Sequence, residues 1–593
     1  MIAPILGPQA ASCAVSKVRP EVDITGLKCE NRINTGLFFD GTNNNMHSDE
    51  TENENGHSNV ARLYLAYRDA PAENYYSFYI PGVGTPFPEI DEDKGALAEM
   101  TGKGLGWGGD KRILYGLIQV FNAVHRSFGN AEKNIGIRSN YFSDAMTKVI
   151  CKDGDLTPDQ RKIQLESNWN INRSNFTTRL NAIRDQLAPL IGLIKHPKTL
   201  PKPVEIMIDV FGFSRGAAEA RVFTNKLFEM CSGNELFGVP MQLRFLGLFD
   251  TVASVNVPNS VGGHGHYGWS QPEDLKIDSR VKNWRHFVSL LEARASFPLD
   301  SVRDDNGYPP NGAEIVYPGA HSDVGGGYKP EEQGRGMRRD GSAREKSNPF
   351  KFSQVPLNDM FVAAKASMVP WMTFESELGK ARKLAKMFDL APSLRVAMSN
   401  YFANCKIESG LPIEEKVRQH QLLYLTWRYQ VRENFETLPG TERAPANAKR
   451  FSGKQDLIDG NRVLIEQIER LEGNNKIGRA IVNNLRTPTD LVAAAAFKTG
   501  NAMWDYFFVS ASAKKILAEV KSRKEPLPSE IRSFFDEHLH DSYAGFKLID
   551  LLGSMEPQGY FHHRVVYAGK KRILRAQADE SLPANEPNQS SFG

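Results

Sequence analysis

The chain has 593 residues, 40% hydrophobic and 24% charged, which is ample for sizeable cores and rules out a disordered chain. Lys+Arg at 73 against Asp+Glu at 70 leave a net charge of +3, so a nucleic-acid polyanion is not the expected partner. Five scattered cysteines (Cys13, Cys29, Cys151, Cys231, Cys405) make no CxxC pair, which argues against a disulfide scaffold and a zinc ribbon.

Residues 1–30 read as an irregular arm. Short apolar runs follow at Thr35–Phe39, Tyr76–Ile80, Val204–Phe211, Gln242–Phe249, Arg285–Leu290 and Glu314–Pro318. Their near-continuous apolarity is what strands buried on both faces require. Helical patterns intervene, among them Ile113–Phe128, Arg173–Ile194 and Ala217–Met230. Strands alternating with helices predict an α/β fold built on a mostly parallel sheet. The stretch of about 100–200 is too long for one crossover and reads as a helical insertion. It contains a glycine-rich loop (Gly102, Gly104, Gly106, Gly108, Gly109) without the Lys-Ser/Thr of a phosphate-binding loop.

After about residue 330 helix-forming sequence dominates. The division expected is a core over 31–330, a mainly helical cap over 331–540, a segment 541–575 returning to the core and a flexible tail over 576–593. The run His562–Tyr567 reads as a returning strand. Within the cap, Ser376–Val396 reads as one basic amphipathic helix: Leu378, Ala381, Leu384 and Phe388 line one face, with Lys380, Arg382, Lys383 and Lys386 off it. Such a helix suits an anionic membrane surface, although a helix packed on the core with a solvated basic face is the more common case. No run approaches the ~20 apolar residues of a span, and the N-terminus lacks the positive start of a signal peptide.

The most informative segment is Ile208–Arg221, where Gly212-Phe213-Ser214-Arg215-Gly216 follows an apolar run and opens a helix of small residues. G-x-S-x-G alone is a weak signal; between a strand and such a helix it predicts a nucleophile elbow with Ser214 at its tip. The alternative is an ordinary strand–turn–helix with a surface serine. Serine needs a base, and the chain order serine, acid, histidine selects Asp250, ending one predicted strand, and His321, just past another. Asp250 could instead be a turn or capping residue, and Asp323 is a competing acid or orienting group. Oxyanion donors are expected from the backbone of Arg215 and from Gly41 or Thr42 in the Asp40-Gly41-Thr42 loop. That loop could equally be a β-turn held by Asx bonds from Asn43–Asn45. His264, His266, His562 and His563 lack carboxylate or cysteine partners at ligand spacing, so no metal is expected. No cofactor is needed for acyl transfer.

LFFDGTNNN, IDVFGFSRGAAEAR, LGLFDTV, RHFVSLLEARASF, PGAHSDVGGGY and FFDEHLHDSYAGF together resemble the family 1 type VI lipase effectors, a group of bacterial α/β-hydrolase-like proteins. The matching pieces run from residue 35 to about 547. The resemblance implies Ser214 as nucleophile, Asp250 as acid and His321 as base, with His540 a runner-up base or supporting residue. It further implies phospholipase A activity on membrane glycerophospholipids, carriage on a VgrG spike and an immunity lipoprotein in the producer. The protein would then be cytoplasmic in the producer and act in the periplasm of a rival cell. Two other readings share these residues: a carboxylesterase or peptidase on the same triad, and a non-catalytic spike adaptor.

Overall fold

The computed structural model describes residues 31–52, 55–92, 108–128, 140–152, 156–166, 175–195, 203–254, 266, 268–337, 344–372, 384–446, 452–473, 510–546, 559–569 and 571–573. Its strands are β1 (Asn31–Phe39), β2 (Tyr75–Ile80), β3 (Pro203–Phe213), β4 (Glu235–Leu236), β5 (Val239–Phe249), β6 (Trp284–Ser289), β7 (Leu299–Asp300), β8 (Gly312–Tyr317), β9 (Val566–Ala568) and β10 (Lys571–Ile573). The central sheet has the order β2-β1-β3-β5-β6-β8, with β4 on β5. Every pairing along that path is parallel. The fold is α/β, as the alternation of runs predicted.

Burial on both sides explains why the strands read as unbroken apolar sequence. Leu37, Phe39, Ile206, Ile208, Val210, Leu246 and Leu248 face one hydrophobic cluster, with the helices Gly109–Phe128 and Arg215–Glu229 packed over them. Phe38, Phe211, Phe213, Phe245 and Phe249 face a second, covered by Asn59–Ala66 and Gln354–Ala366. Each such side chain withdrawn from water contributes about 1.5–3 kcal/mol. The second cluster continues without a break into Leu394, Tyr401, Val417, Trp427 and Phe534 of the later helices. Lys454–Leu471 and Ala511–Ser522 meet over a third, built on Leu422 and Leu425.

Strand register positions the site. Phe39 pairs with both Ile80 and Gly212, Phe213 with Phe249, and Phe249 with Phe287. The strands therefore end together, and the next residues, Asp40, Ser214 and Asp250, fall along one C-terminal edge. The chain reverses its direction of travel across the sheet between β1 and β3. Such a switch point opens a crevice at the carboxyl ends of the strands.

Three local expectations are corrected. Arg173–Ile194 is not one helix; from residue 175 the chain forms Phe176–Asp185 and Ala188–Lys195, divided at Gln186. The returning strand is only Val566–Ala568, and it joins β7 and β10 in a separate three-stranded sheet; just before it the Arg564 side chain is turned onto Asp250. In the candidate membrane helix, 373–383 lie outside the described residues, and the rest is interrupted. Helix ends at residue 387 and restarts at Pro392, since proline disfavours helical geometry in the residue before it. Leu384 is buried and Phe388 packs against the second cluster. Among the described residues no helix is long and apolar enough to cross a membrane. The 1–30 arm and the tail lie outside the described residues, as do Gly102, Gly104, Gly106 and His264.

Candidate active site

Ser214 sits between the end of β3 and the Arg215–Glu229 helix with φ 58° and ψ −126°, a conformation side-chain-bearing residues rarely adopt. It is held there by its N–H donating to Phe249 O at 3.0 Å, and by its carbonyl accepting from Ala217 and Val252 N–H. The flanking glycines follow from space. A Cβ on Gly212 would stand 2.5 Å from Gly216 O, and one on Gly216 would stand 2.3 Å from Asp40 O. Strand, helix and β1 loop converge too tightly for any side chain at either position.

The structure brings Asp250 and His321 together. His321 opens a short helix, His321–Gly325, and its Nδ1 lies 2.6 Å from Asp250 Oδ2. The imidazole rests on the elbow, with its ring 4.7 Å from that of Phe213, the residue before Ser214, and 5.1 Å from that of Phe297. An ionised Asp250 requires the proton on Nδ1 and leaves Nε2 as an acceptor. That Nε2 is buried and has no hydrogen-bond partner among the described residues. Ser214 and His321 are each 3% exposed and Asp250 is fully buried. Burial pushes the His321 imidazole below the ordinary histidine value, and Asp250 only partly restores it.

Burial would raise the Asp250 carboxyl, yet Arg564 and His321 hold it well below the ordinary carboxylate range. The arginine forks onto both oxygens, with Nη1 2.9 Å from Oδ1 and Nη2 2.7 Å from Oδ2. Ser289 N–H donates to Oδ1 at 2.9 Å. Glu292 lies within the RHFVSLLEARASF segment, which assigns it no role, and Arg564 lies in none of the matching segments. Glu292 accepts from the His321 N–H at 3.2 Å and from Arg294 Nε at 2.8 Å. Arg294 first among its charged neighbours holds the Glu292 carboxyl down to about 2 against the upward pull of burial. The one available signal was charge within otherwise apolar runs: Arg564 in HHRVVY and Glu292 in VSLLEARAS.

His540 and Asp323 form a second buried pair, Nδ1 to Oδ1 at 2.6 Å. Asp323 Oδ2 also accepts from Ala320 N–H and His540 N–H, so the pair caps the helix that carries His321. Ser542 Oγ donates to Glu292 at 2.8 Å, and Asp541 pairs with Arg428. The segment 540–542 thus holds the His321 helix through Asp323 and the loop after β6 through Glu292, and is itself tied to the helix Ile413–Val431.

At the β1 loop, Gly41 N–H donates to Asp40 Oδ1 at 2.7 Å. Asp40 also accepts from Ser58 Oγ and Tyr79 Oη, and burial, moderated by these bonds, pushes its carboxyl up to about 6. Asn43 N–H goes to Val83 O and Asn44 N–H to Gly41 O, so the loop does contain a backbone turn. Of the two expected donors here, Gly41 is already engaged. His266 Nε2 lies 2.5 Å from Asp300 Oδ1, and burial pushes His562 and His563 down to about 4. Among the described residues no three His, Cys, Asp or Glu side chains gather as a metal site.

Residues 34–232 and 224–362 match the family described as T6SS, Phospholipase effector Tle1-like, catalytic domain, together more than half of the chain. The chain belongs to this family of type VI secretion effectors. Among solved structures, an uncharacterized protein from Pseudomonas aeruginosa is 24% identical, covering 92% of this chain and 80% of its own, with a TM-score of 0.65. That likeness supports the fold. A Tle1 effector bound to the VgrG spike from the type 6 secretion system is 17% identical, covering 66% of this chain and 83% of its own, with a TM-score of 0.34. No curated protein matches. The matched residues of the effector include Ser214, Asp250 and His321 and stop short of His540 and Arg564.

Proposed function

We propose that this effector is a phospholipase A that cleaves a fatty-acyl ester of membrane glycerophospholipids by acyl transfer to Ser214. His321 Nε2 takes the Ser214 proton as the hydroxyl oxygen attacks the ester carbonyl. Asp250 holds the Nδ1–H tautomer and stabilises the imidazolium. The Arg215 N–H, at the start of a helix whose dipole favours negative charge, receives the oxyanion. Thr42 N–H is the second donor in this reading, since Gly41 N–H is committed to Asp40. The tetrahedral intermediate collapses, the lysolipid alkoxide leaves with the proton from His321, and water then releases the fatty acid by the same steps in reverse.

The observation that carries the reading is the 2.6 Å Asp250–His321 pair set against a strained serine within a phospholipase effector family. Membership of a type VI secretion effector family is the support for delivery by that apparatus; carriage on a VgrG spike, a periplasmic target and an immunity lipoprotein in the producer belong to the same proposal. The test is purified protein on phospholipid vesicles, beside Ser214→Ala, with released fatty acid and lysolipid measured. Both products from wild type, and a loss of about 10³-fold or more in the variant, are expected. A soluble ester and a peptide run in parallel separate the lipase from other serine hydrolases. Equal fatty-acid release by Ser214→Ala would refute the nucleophile.

A further inference from the structure

In a serine triad the charge of the acid stabilises the imidazolium. Asp250 shares that charge with a cation. Its two oxygens receive a full guanidinium fork at 2.9 and 2.7 Å, with both side chains fully withdrawn from solvent. The fork is itself fixed: Arg564 Nε donates to Phe297 O at 2.8 Å and Nη1 to Ser289 O at 2.9 Å. The Arg564 backbone N–H donates to Gln421 Oε1 at 2.9 Å, and Gln421 Nε2 donates to Glu292 O at 2.8 Å. One arginine therefore ties together the end of β6, the Phe297 loop and the catalytic acid. It arrives from 314 residues downstream of Asp250, immediately before β9.

We propose that Arg564 is a positioning residue of this centre, fixing both oxygens of Asp250 and damping the field that carboxylate exerts on His321. The inference rests on the serine-hydrolase reading above. Bidentate geometry constrains the carboxylate plane as a single donor does not, so Oδ2 stays aimed at Nδ1. Two charges a few ångströms apart in a dry site interact strongly, so a cation on the far side of Asp250 makes His321 harder to protonate. The charged groups around His321 are Asp250 and Arg564 on one side, Glu292 and Arg294 on the loop after β6, and Asp323 of its own helix paired with His540. Glu292 is matched by Arg294 and Asp323 by His540, which leaves Arg564 as the group that balances Asp250. The described segment 559–569 thus completes the catalytic acid, and the family match, ending at residue 362, does not contain it.

The experiment uses the full chain labelled with ¹³C-histidine, the His321 resonance being assigned by His321→Gln. Its titration midpoint is measured by NMR in wild type, Arg564→Gln and Arg564→Lys, with folding checked by circular dichroism. Turnover of a soluble short-chain ester is measured alongside. In Arg564→Gln the His321 midpoint rises by about one pH unit or more, and kcat falls about 10- to 100-fold with KM within about twofold. In Arg564→Lys, which keeps the charge and loses the fork, the midpoint returns toward wild type while kcat stays depressed. If Arg564→Gln does not fold, Arg564→Lys decides by the same two readouts. An unmoved midpoint in folded Arg564→Gln, or full kcat in Arg564→Lys, overturns the proposal. Wild type that turns over no ester would sink the hydrolase reading instead, and the NMR titration would still judge Arg564.

Discussion

Two buried histidine–carboxylate pairs stand side by side in this protein, with the same 2.6 Å separation. His321–Asp250 and His540–Asp323 each use Nδ1, and each leaves a buried Nε2 without a partner among the described residues. Judged by the pair alone, they are equivalent. Their surroundings separate them. His321 rests on Phe213, next to a serine in a strained turn, whereas His540 stacks on Tyr328 with ring centroids 3.9 Å apart. The first carboxylate is clamped by a guanidinium; the second spends its other oxygen on two backbone N–H groups. A histidine–aspartate pair becomes a catalytic base only where a nucleophile faces it. In the proposed mechanism the pair beside Ser214 is that base, and His540–Asp323 is a structural clasp.

The sharpest way to break that contrast is to remove each imidazole. His321→Ala is expected to lower fatty-acid release about 10³- to 10⁶-fold, while His540→Ala lowers it about tenfold and reduces the melting temperature. Near-full release by His321→Ala, with collapse in His540→Ala, would exchange the two roles. The acids come next. Asp250→Asn leaves the shape intact but favours the wrong imidazole tautomer, for a loss of about 10⁴-fold in kcat. Asp323→Asn loses charge-assisted bonds to a cap, about 1.5–3 kcal/mol of stability, so its signature is a denaturation midpoint rather than a rate.

The contrast also shows what was legible beforehand. Ser214, Asp250 and His321 could be proposed together because each follows an apolar run, and the run ends where the sheet ends. The triad order needed no distances. The clasp and the clamp were not legible in the same way. Asp323–His540 joins residues 217 positions apart and Asp250–Arg564 residues 314 apart. Local patterning carries no record of such closures. His540 was visible as a runner-up base or supporting residue, without its partner. Arg564 was absorbed into an apolar run and read as part of a strand, because period-two patterning cannot tell an arginine on a strand face from one aimed at a buried acid. The reading of Ser376–Val396 as one helix failed at Pro392 for a local reason: amphipathic spacing was given more weight than the proline that interrupts it.

A smaller effect sharpens the comparison through pH. The proposed base must be neutral, and burial depresses the His321 imidazole below the ordinary histidine value of 6.5. Activity is therefore retained as pH falls past 6.5, and the acid limb of kcat/KM, which reports the free enzyme, has its midpoint below that value. His540→Gln should leave this midpoint in place, because His540 takes no proton from the nucleophile. A limb that moved with His540 and stayed put on changes at Asp250 would reassign the base.

The smallest expected effect isolates the clasp from the chemistry. Tyr328 lies parallel to His540, with 13° between the rings, and its removal touches neither Asp250 nor Ser214. Tyr328→Leu keeps an apolar side chain in the buried site and forfeits the ring contact, about 0.5–1.5 kcal/mol beyond the area term. The melting temperature should fall by a few degrees, as such an energy does in a large domain, with kcat/KM on vesicles within about twofold of wild type. If kcat/KM instead fell more than tenfold while the melt was unchanged, the second histidine would be acting on substrate, and the division between base and clasp would have to be redrawn.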